Sequence, residues 1–294
     1  MASGIPIFYS EVKQNKKLLF GLMGFVSGVV GALIDDAVFF FIPDKQPYVI
    51  GIFTMAIWAG IFSAVIAAGL YWAIDIYAHK KTDVLGLLKK GIPAGFFAGA
   101  ISGAISQAIY GQFSDSLSEF WSHFLFQAAC WGVAGLILGW ILARSIPNLG
   151  SARALIAGVL GGFIGGAGFL LVGSVFVDTI GRMIGVGILS AALGLCLVIV
   201  EEMSRVAYVE VHWTPDEVSL FTLGSTPIFI GAGDSTIMVP TVPPHAMSLV
   251  IEGGEIIGID HTKGKKKQLF DGNHIQIGKI DMIIRTGMGK MRSQ

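Results

Sequence analysis

Six long runs without a charged residue occupy the first two-thirds of the chain: Leu18 to Ile34, Val49 to Ile74, Gly91 to Ser114, Phe124 to Ala143, Ala154 to Val177 and Met183 to Val200. Each approaches or exceeds the roughly 20 residues that a helix needs to cross about 30 Å of hydrocarbon. Isolated apolar runs of this length satisfy their own backbone only as helices. From Ala207 the period shortens to that of strands, with segments at Tyr208 to Trp213, Val218 to Leu223, Ile228 to Ile230, Ala246 to Ile251, Ile256 to Ile259, His274 to Ile277 and Ile280 to Ile284. Turn signals at Gly224, Gly231-Ala232-Gly233, Pro243-Pro244, Gly253-Gly254 and Asp271-Gly272 separate them. The pattern predicts an α-helical polytopic membrane domain of six transmembrane helices over residues 1–203, followed by a small all-β sandwich over 204–294.

The six spans read as one glycine-rich hairpin written three times. KKLLFGLMGFVSGVVGAL from Lys16, KKGIPAGFFAGAISGAIS from Lys89 and ARALIAGVLGGFIGGAGF from Ala152 each follow a basic lead-in with glycines every three or four residues. Gly24 and Gly28, then Gly95, Gly99 and Gly103, then Gly158, Gly162 and Gly166 each line one helix face. Lipid supplies no hydrophobic drive for association, so small residues that let backbones approach are expected to pack the helices. The return helices share a seven-residue step to a glycine, Gly132 to Gly139 and Gly187 to Gly194, with Phe62 to Gly69 a looser counterpart.

Composition supports the membrane reading: 53% of residues are hydrophobic and only 14% charged, and 29 of the 40 glycines precede residue 204. Formal net charge is zero, which gives no electrostatic footprint for a nucleic-acid partner. Charge placement sets orientation. Lys13, Lys16, Lys17, Lys80, Lys81, Lys89, Lys90, Arg144 and Arg153 flank one side of the spans, against only Lys45 and Arg182 on the other. The positive-inside bias of nine against two predicts both termini in the cytoplasm and a multi-pass protein of the plasma (inner) membrane. The first run resembles a signal peptide, but no small-x-small cleavage site precedes Asp35 and Asp36, so it is expected to remain as a span.

Ionisable residues within a bilayer mark proton and ion paths, and the span centres have none. Asp35, Asp36, Asp75, Glu201 and Glu202 fall at span ends and are expected at the interfaces. Gln107, Gln127, Ser102 and Ser106 are the main polar side chains at depth, with interhelical hydrogen bonding as their expected role. Cys130 and Cys196 lie inside apolar runs, away from disulfide or metal partners. The sequence contains no His-Glu-x-x-His helix, phosphate loop or Gly-x-Ser-x-Gly elbow; Gly99 stands three residues before Ser102, where an elbow needs two. No enzymatic activity, cofactor or metal is expected.

In the C-terminal part, Leu223-Gly224, Pro227 to Gly231, His245-Ala246, Glu252-Gly253-Gly254 and Leu269 to Gly278 stand in the order of the landmarks of forkhead-associated (FHA) domains. Residues 216 to 286 resemble that family, most specifically in the Asp-Gly to Ile-x-Ile-Gly segment. The resemblance implies a binding sandwich whose loops read phosphothreonine peptides, here in degenerate form. The family's arginine after the first glycine is Ala232, its serine before the histidine is Val242, and its asparagine-glycine pair is replaced around Thr262 to Gly264. Without those donors a dianionic phosphate loses its charge-assisted hydrogen bonds. The resemblance gives His245 a structural role. The candidate partner-binding set is Ala232, Asp234, Ser235, His245, Thr262, Lys263, Lys265, Lys266 and Lys267, its four lysines suited to anionic lipid headgroups or an acidic protein. The expected function is that of a membrane adaptor or scaffold presenting an FHA-like protein-interaction domain to the cytoplasm. The alternative is a channel or passive transporter regulated by that domain.

Overall fold

The structure is a computed structural model that describes residues 12, 15–39, 47–80, 84–113, 120–144, 146–176, 178–215 and 217–287. Of the basic residues that set orientation, Lys13, Lys45 and Lys81 lie outside these. Among the described residues six long helices precede the strands: α1 (Lys16–Phe39), α2 (Tyr48–Tyr77), α3 (Val84–Phe113), α4 (Phe120–Ala143), α5 (Ser151–Val175) and α6 (Asp178–Met203). All six are long and apolar enough to cross a bilayer, which makes this a multi-pass membrane protein.

Consecutive helices pack side by side, and α1 also packs on α6, so the six close into a ring. The odd-numbered helices are two-faced. On α1, Leu22, Val26 and Val30 are exposed; on α3, Phe97, Ile101, Ile105 and Ile109; on α5, Ile156, Leu160 and Ile164. Their four-residue spacing places each set on one stripe, and hydrocarbon is the solvent that tolerates such a surface.

The opposite stripe is glycine. Gly24 and Gly28 of α1 meet α6, Gly95, Gly99 and Gly103 of α3 meet α2, and Gly158 and Gly162 of α5 meet α4. A Cβ at Gly24 would stand 2.5 Å from the Ser190 carbonyl oxygen, and one at Gly103 would stand 2.7 Å from that of Met55. At Gly99, Gly158 and Gly162 it would run into the carbonyl oxygens of Ala59, Gly135 and Trp131. Each ladder therefore joins an odd-numbered helix to the return arm of the preceding hairpin, with α1 following α6 around the ring. The arms within a hairpin use other contacts, such as Gly161 and Gly165 against Leu193 and Leu189. Among the return-helix glycines, Gly132, Gly139, Gly187 and Gly194 face the next hairpin around the ring, whereas Gly69 faces Ser27 on α1, its own hairpin partner.

The end of the ring nearest the C-terminal domain is filled by apolar side chains. Phe20, Ile66, Leu70, Leu142 and Leu197, from α1, α2, α4 and α6, are fully buried there. Of the acids expected at interfaces, Asp35 and Glu201 are buried within the protein. α1 continues as helix through Asp35 and Asp36 to Phe39, and Asp36 pairs with Arg182 of α6 at 3.2 Å.

The C-terminal β domain contains β1 (Ala207–Thr214), β2 (Glu217–Leu223), β3 (Ile228–Gly231), β4 (Ile237–Met238), β5 (Met247–Glu252), β6 (Glu255–Asp260), β7 (Lys265–Leu269), β8 (His274–Ile277) and β9 (Ile280–Thr286). They form a four-stranded sheet in the order β2-β1-β9-β8 and a five-stranded sheet in the order β4-β3-β5-β6-β7. Alternation supplies the core: Val209, Val211, Met282 and Ile284 from the first sheet and Ile228, Ile230, Leu249 and Ile256 from the second are buried. Two strands differ from the periodic reading. β4 has only two residues, too few to show a period, and it pairs in parallel with β3. β7 carries the lysine run, paired antiparallel from Asp260↔Lys265 to Ile256↔Leu269. An edge strand is where such charges belong, because they oppose pairing with another chain.

Candidate functional site

The sequence-predicted loop residues gather at one end of the β domain. The Phe229 ring lies 4.6 Å from that of His245 and 6.2 Å from that of His261, and so links the loop before β5 to the β6–β7 turn. Ser235 is fully buried; its hydroxyl donates to the Ala232 carbonyl at 2.9 Å and accepts from the His245 amide at 3.2 Å. His245 occupies the left-handed region at φ 50°, with its Nε2 3.0 Å from an Asp234 carboxylate oxygen. Gly231, at φ 154°, leaves no room for a Cβ against the Pro243 carbonyl. Ala232 bridges in parallel to Pro244. Ala232, Ser235 and His245 therefore bind mainly one another and fix the loops, while Asp234 stands exposed at the rim.

Thr262 and the lysines form the second cluster. The Asp260 carboxylate accepts from the Thr262 amide, the Thr262 hydroxyl and the Lys263 amide at 2.9, 2.6 and 3.1 Å, which fixes the turn. The Thr262 hydroxyl, with those amides and nearby Lys263, holds the Asp260 carboxyl below the usual carboxylate range. Lys266 pairs with Glu252 at 2.6 Å. Among the described residues Lys263, Lys265 and Lys267 have no carboxylate within salt-bridge distance, and all three are exposed.

Sequence reasoning missed the junction that sets how this cluster is presented. At the end of α6, the buried Glu201 carboxylate lies 3.1 Å from Lys16 Nζ and 2.8 Å from an Arg205 guanidinium nitrogen, and it accepts the Thr222 hydroxyl of β2. Burial alone would lower the Arg205 pKa, but its hydrogen bonds and charge attraction to Glu201 outweigh that and raise it. Lys16 also lies over the Tyr77 ring at 5.0 Å. The Tyr77 hydroxyl accepts from the Leu220 amide at 2.7 Å and donates to the Leu220 carbonyl at 3.3 Å. Asn148, between α4 and α5, donates to the Thr222 carbonyl at 3.0 Å and accepts from the Thr226 amide at 3.0 Å. Gly224 admits this approach, because a Cβ there would stand 2.6 Å from the Asn148 side-chain oxygen. His79 stacks on Trp213 at 4.0 Å beside Glu217. The free backbone edge of β2 is thus paired with the helix ends.

A second feature lies in the half of the ring away from the β domain. A cavity of about 330 Å³ opens between α2, α3, α4 and α5. Trp58, Phe62, Trp131 and Phe169 form one aromatic cluster on its wall, with neighbouring centroids 4.7 to 6.1 Å apart. Of the polar residues expected at depth, Ser102 donates to its own helix at the Ala98 carbonyl, and Ser106 crosses to the Cys130 carbonyl at 3.3 Å. Gln107 and Gln127 line the cavity and have no hydrogen-bond partner among the described residues. The described residues contain no cluster of three potential metal ligands. No family model matches the chain, and neither the curated proteins nor the solved structures contain a match.

Proposed function

We propose that this protein is a membrane adaptor: the helical ring holds an FHA-like interaction domain at the inner face of the plasma membrane, where it recruits an acidic protein partner. The observation that carries this reading is the asymmetry of attachment. β2 is fastened to the ring through Glu201, Tyr77 and Asn148. Thr236, just before β4, lines a crevice with Lys16, Tyr77 and Ile146, so the β4 edge also faces the ring. β7 is the opposite edge of that sheet, four strand spacings away, or about 19 Å. The exposed Lys263, Lys265 and Lys267 therefore point to a partner approaching from water rather than to headgroups beside the ring.

The nine-to-two basic bias supports a cytoplasmic domain with both termini inside. The ordered landmarks from Leu223 to Gly278 support the FHA likeness, in which the tight Ser235–His245 contact keeps the loops in shape without the phosphate donors. The glycine contacts from each odd-numbered helix to the preceding even-numbered one support three repeated hairpins. Conduction along the ring would need polar lining through the layer of Phe20, Ile66, Leu70, Leu142 and Leu197, which favours an anchoring role over a channel.

The test uses the full chain in nanodiscs as bait for cytosolic proteins, beside a variant carrying Lys263→Glu, Lys265→Glu and Lys267→Glu. An adaptor retains a specific acidic partner, which the variant releases and which salt weakens steeply. Identical capture by both proteins, together with solute flux in liposomes containing the wild type, would reject the proposal.

A further inference from the structure

Beyond the adaptor reading, and independent of it, we infer that the cavity between α2 and α5 is a binding site for an uncharged, ring-containing small molecule with a hydrogen-bonding head group. Three observations specify that chemistry. The volume of about 330 Å³ falls at the lower end of the range for small-molecule sites. Among the described residues its lining contains no Asp, Glu, Lys or Arg, so an ion meeting them would lose its hydration without a counter-charge. Its wall carries the Trp58, Phe62, Trp131 and Phe169 cluster, whose faces and edges complement a planar ring.

The head group follows from Gln107 and Gln127. Each carboxamide offers an acceptor oxygen and two donor protons, and neither is used by a described residue. A polar group at membrane depth that lacks a partner is destabilising, and Ser102 and Ser106 beside them are both bonded. The two amides, one from α3 and one from α4, both line this space and thus remain for an occupant. A hydroxyl or carbonyl on a flat ring can engage them while the ring meets the aromatic wall. An aliphatic chain fills the volume but leaves both amides unpaired.

The test measures quenching of tryptophan fluorescence by 6-bromo-2-naphthol, uncharged at pH 6.5, in nanodiscs holding the full chain. Trp58 and Trp131 line the cavity, so contact with the bromine reports occupancy. Saturable quenching is expected above the linear background of probe dissolved in lipid. The anion 6-bromo-2-naphthoate should bind at least tenfold more weakly. The double substitution Gln107→Leu and Gln127→Leu keeps the cavity's volume but removes its polar groups, and it should weaken the naphthol tenfold or more without lowering Tm. Ala134→Phe, which fills the space, should abolish saturation; if that variant fails to fold, the double substitution decides. Linear quenching alone in the wild type, equal binding of the anion, or an unchanged isotherm in the double variant would each overturn the assignment.

Discussion

The hydroxyl of Tyr77, the last residue of α2, accepts the Leu220 amide of β2 at 2.7 Å and so caps the edge of a sheet with the end of a membrane helix. The same hydroxyl donates to the Leu220 carbonyl, and the Tyr77 ring lies 5.6 Å from that of Phe221. Tyr77→Phe keeps the ring contact and removes both hydrogen bonds, leaving a partly buried amide without its partner. The expected cost to docking is about 1–3 kcal/mol. Interdomain distances measured between spin labels on α4 and β8 should broaden, while the secondary structure is unchanged.

Glu201 should matter more. Its carboxylate is buried between Lys16 and Arg205, whose side chains are both 11% exposed, so Glu201→Gln strands two nearly buried cations. Removing one partner of such a group costs roughly 3–5 kcal/mol. Thr222→Val removes only a hydroxyl and should cost about 1 kcal/mol. Replacing Lys16, Glu201 and Arg205 together with Met, Leu and Met should recover most of the loss, because no uncompensated charge remains. Thermal unfolding of the four proteins in the same detergent checks the order.

That junction shows where sequence reading stops. The spans, the two-part architecture and most strands were legible because apolar run length and alternation are local properties. β7 was not, since Lys265, Lys266 and Lys267 carry the composition of a solvated run and become a strand only through the register Ile259↔Lys266 with β6. The partners of Glu201 were hidden because Lys16 and Thr222 lie 185 and 21 residues away. The glycine ladders were visible as stripes, but a stripe does not say which helix it meets. The cavity was equally hidden: Gln107 and Gln127 stand in separate spans, and only the fold brings both beside Trp131.

The ladders give a graded series. Gly135 and Gly158 approach so closely that a Cβ on either would overlap the other's carbonyl oxygen. Gly158→Ala therefore forces α4 and α5 apart and should cost several kcal/mol, well beyond the helix-propensity gain of about 1 kcal/mol. Gly173, on the same helix, has nothing within 4 Å of its Cβ position. Gly173→Ala should be neutral or slightly stabilising. Opposite shifts in the detergent-solubilised Tm of the two variants would check the packing, and equal tolerance would refute it.

Acid should loosen the β6–β7 turn selectively. Asp260 accepts three hydrogen bonds from Thr262 and Lys263, led by that from the Thr262 hydroxyl, and its folded pKa is depressed. A depressed carboxyl contributes order that is fully present above its unfolded pKa, about 3.9, and is lost as pH falls through the lower folded value. The turn that positions Lys263 should therefore hold from neutrality down to about pH 4 and open below it. The Thr262 amide resonance should titrate with a midpoint under 3.9 in the wild type and lose that transition in Asp260→Asn. A midpoint above the unfolded value would mean that the carboxylate is not the acceptor holding the turn.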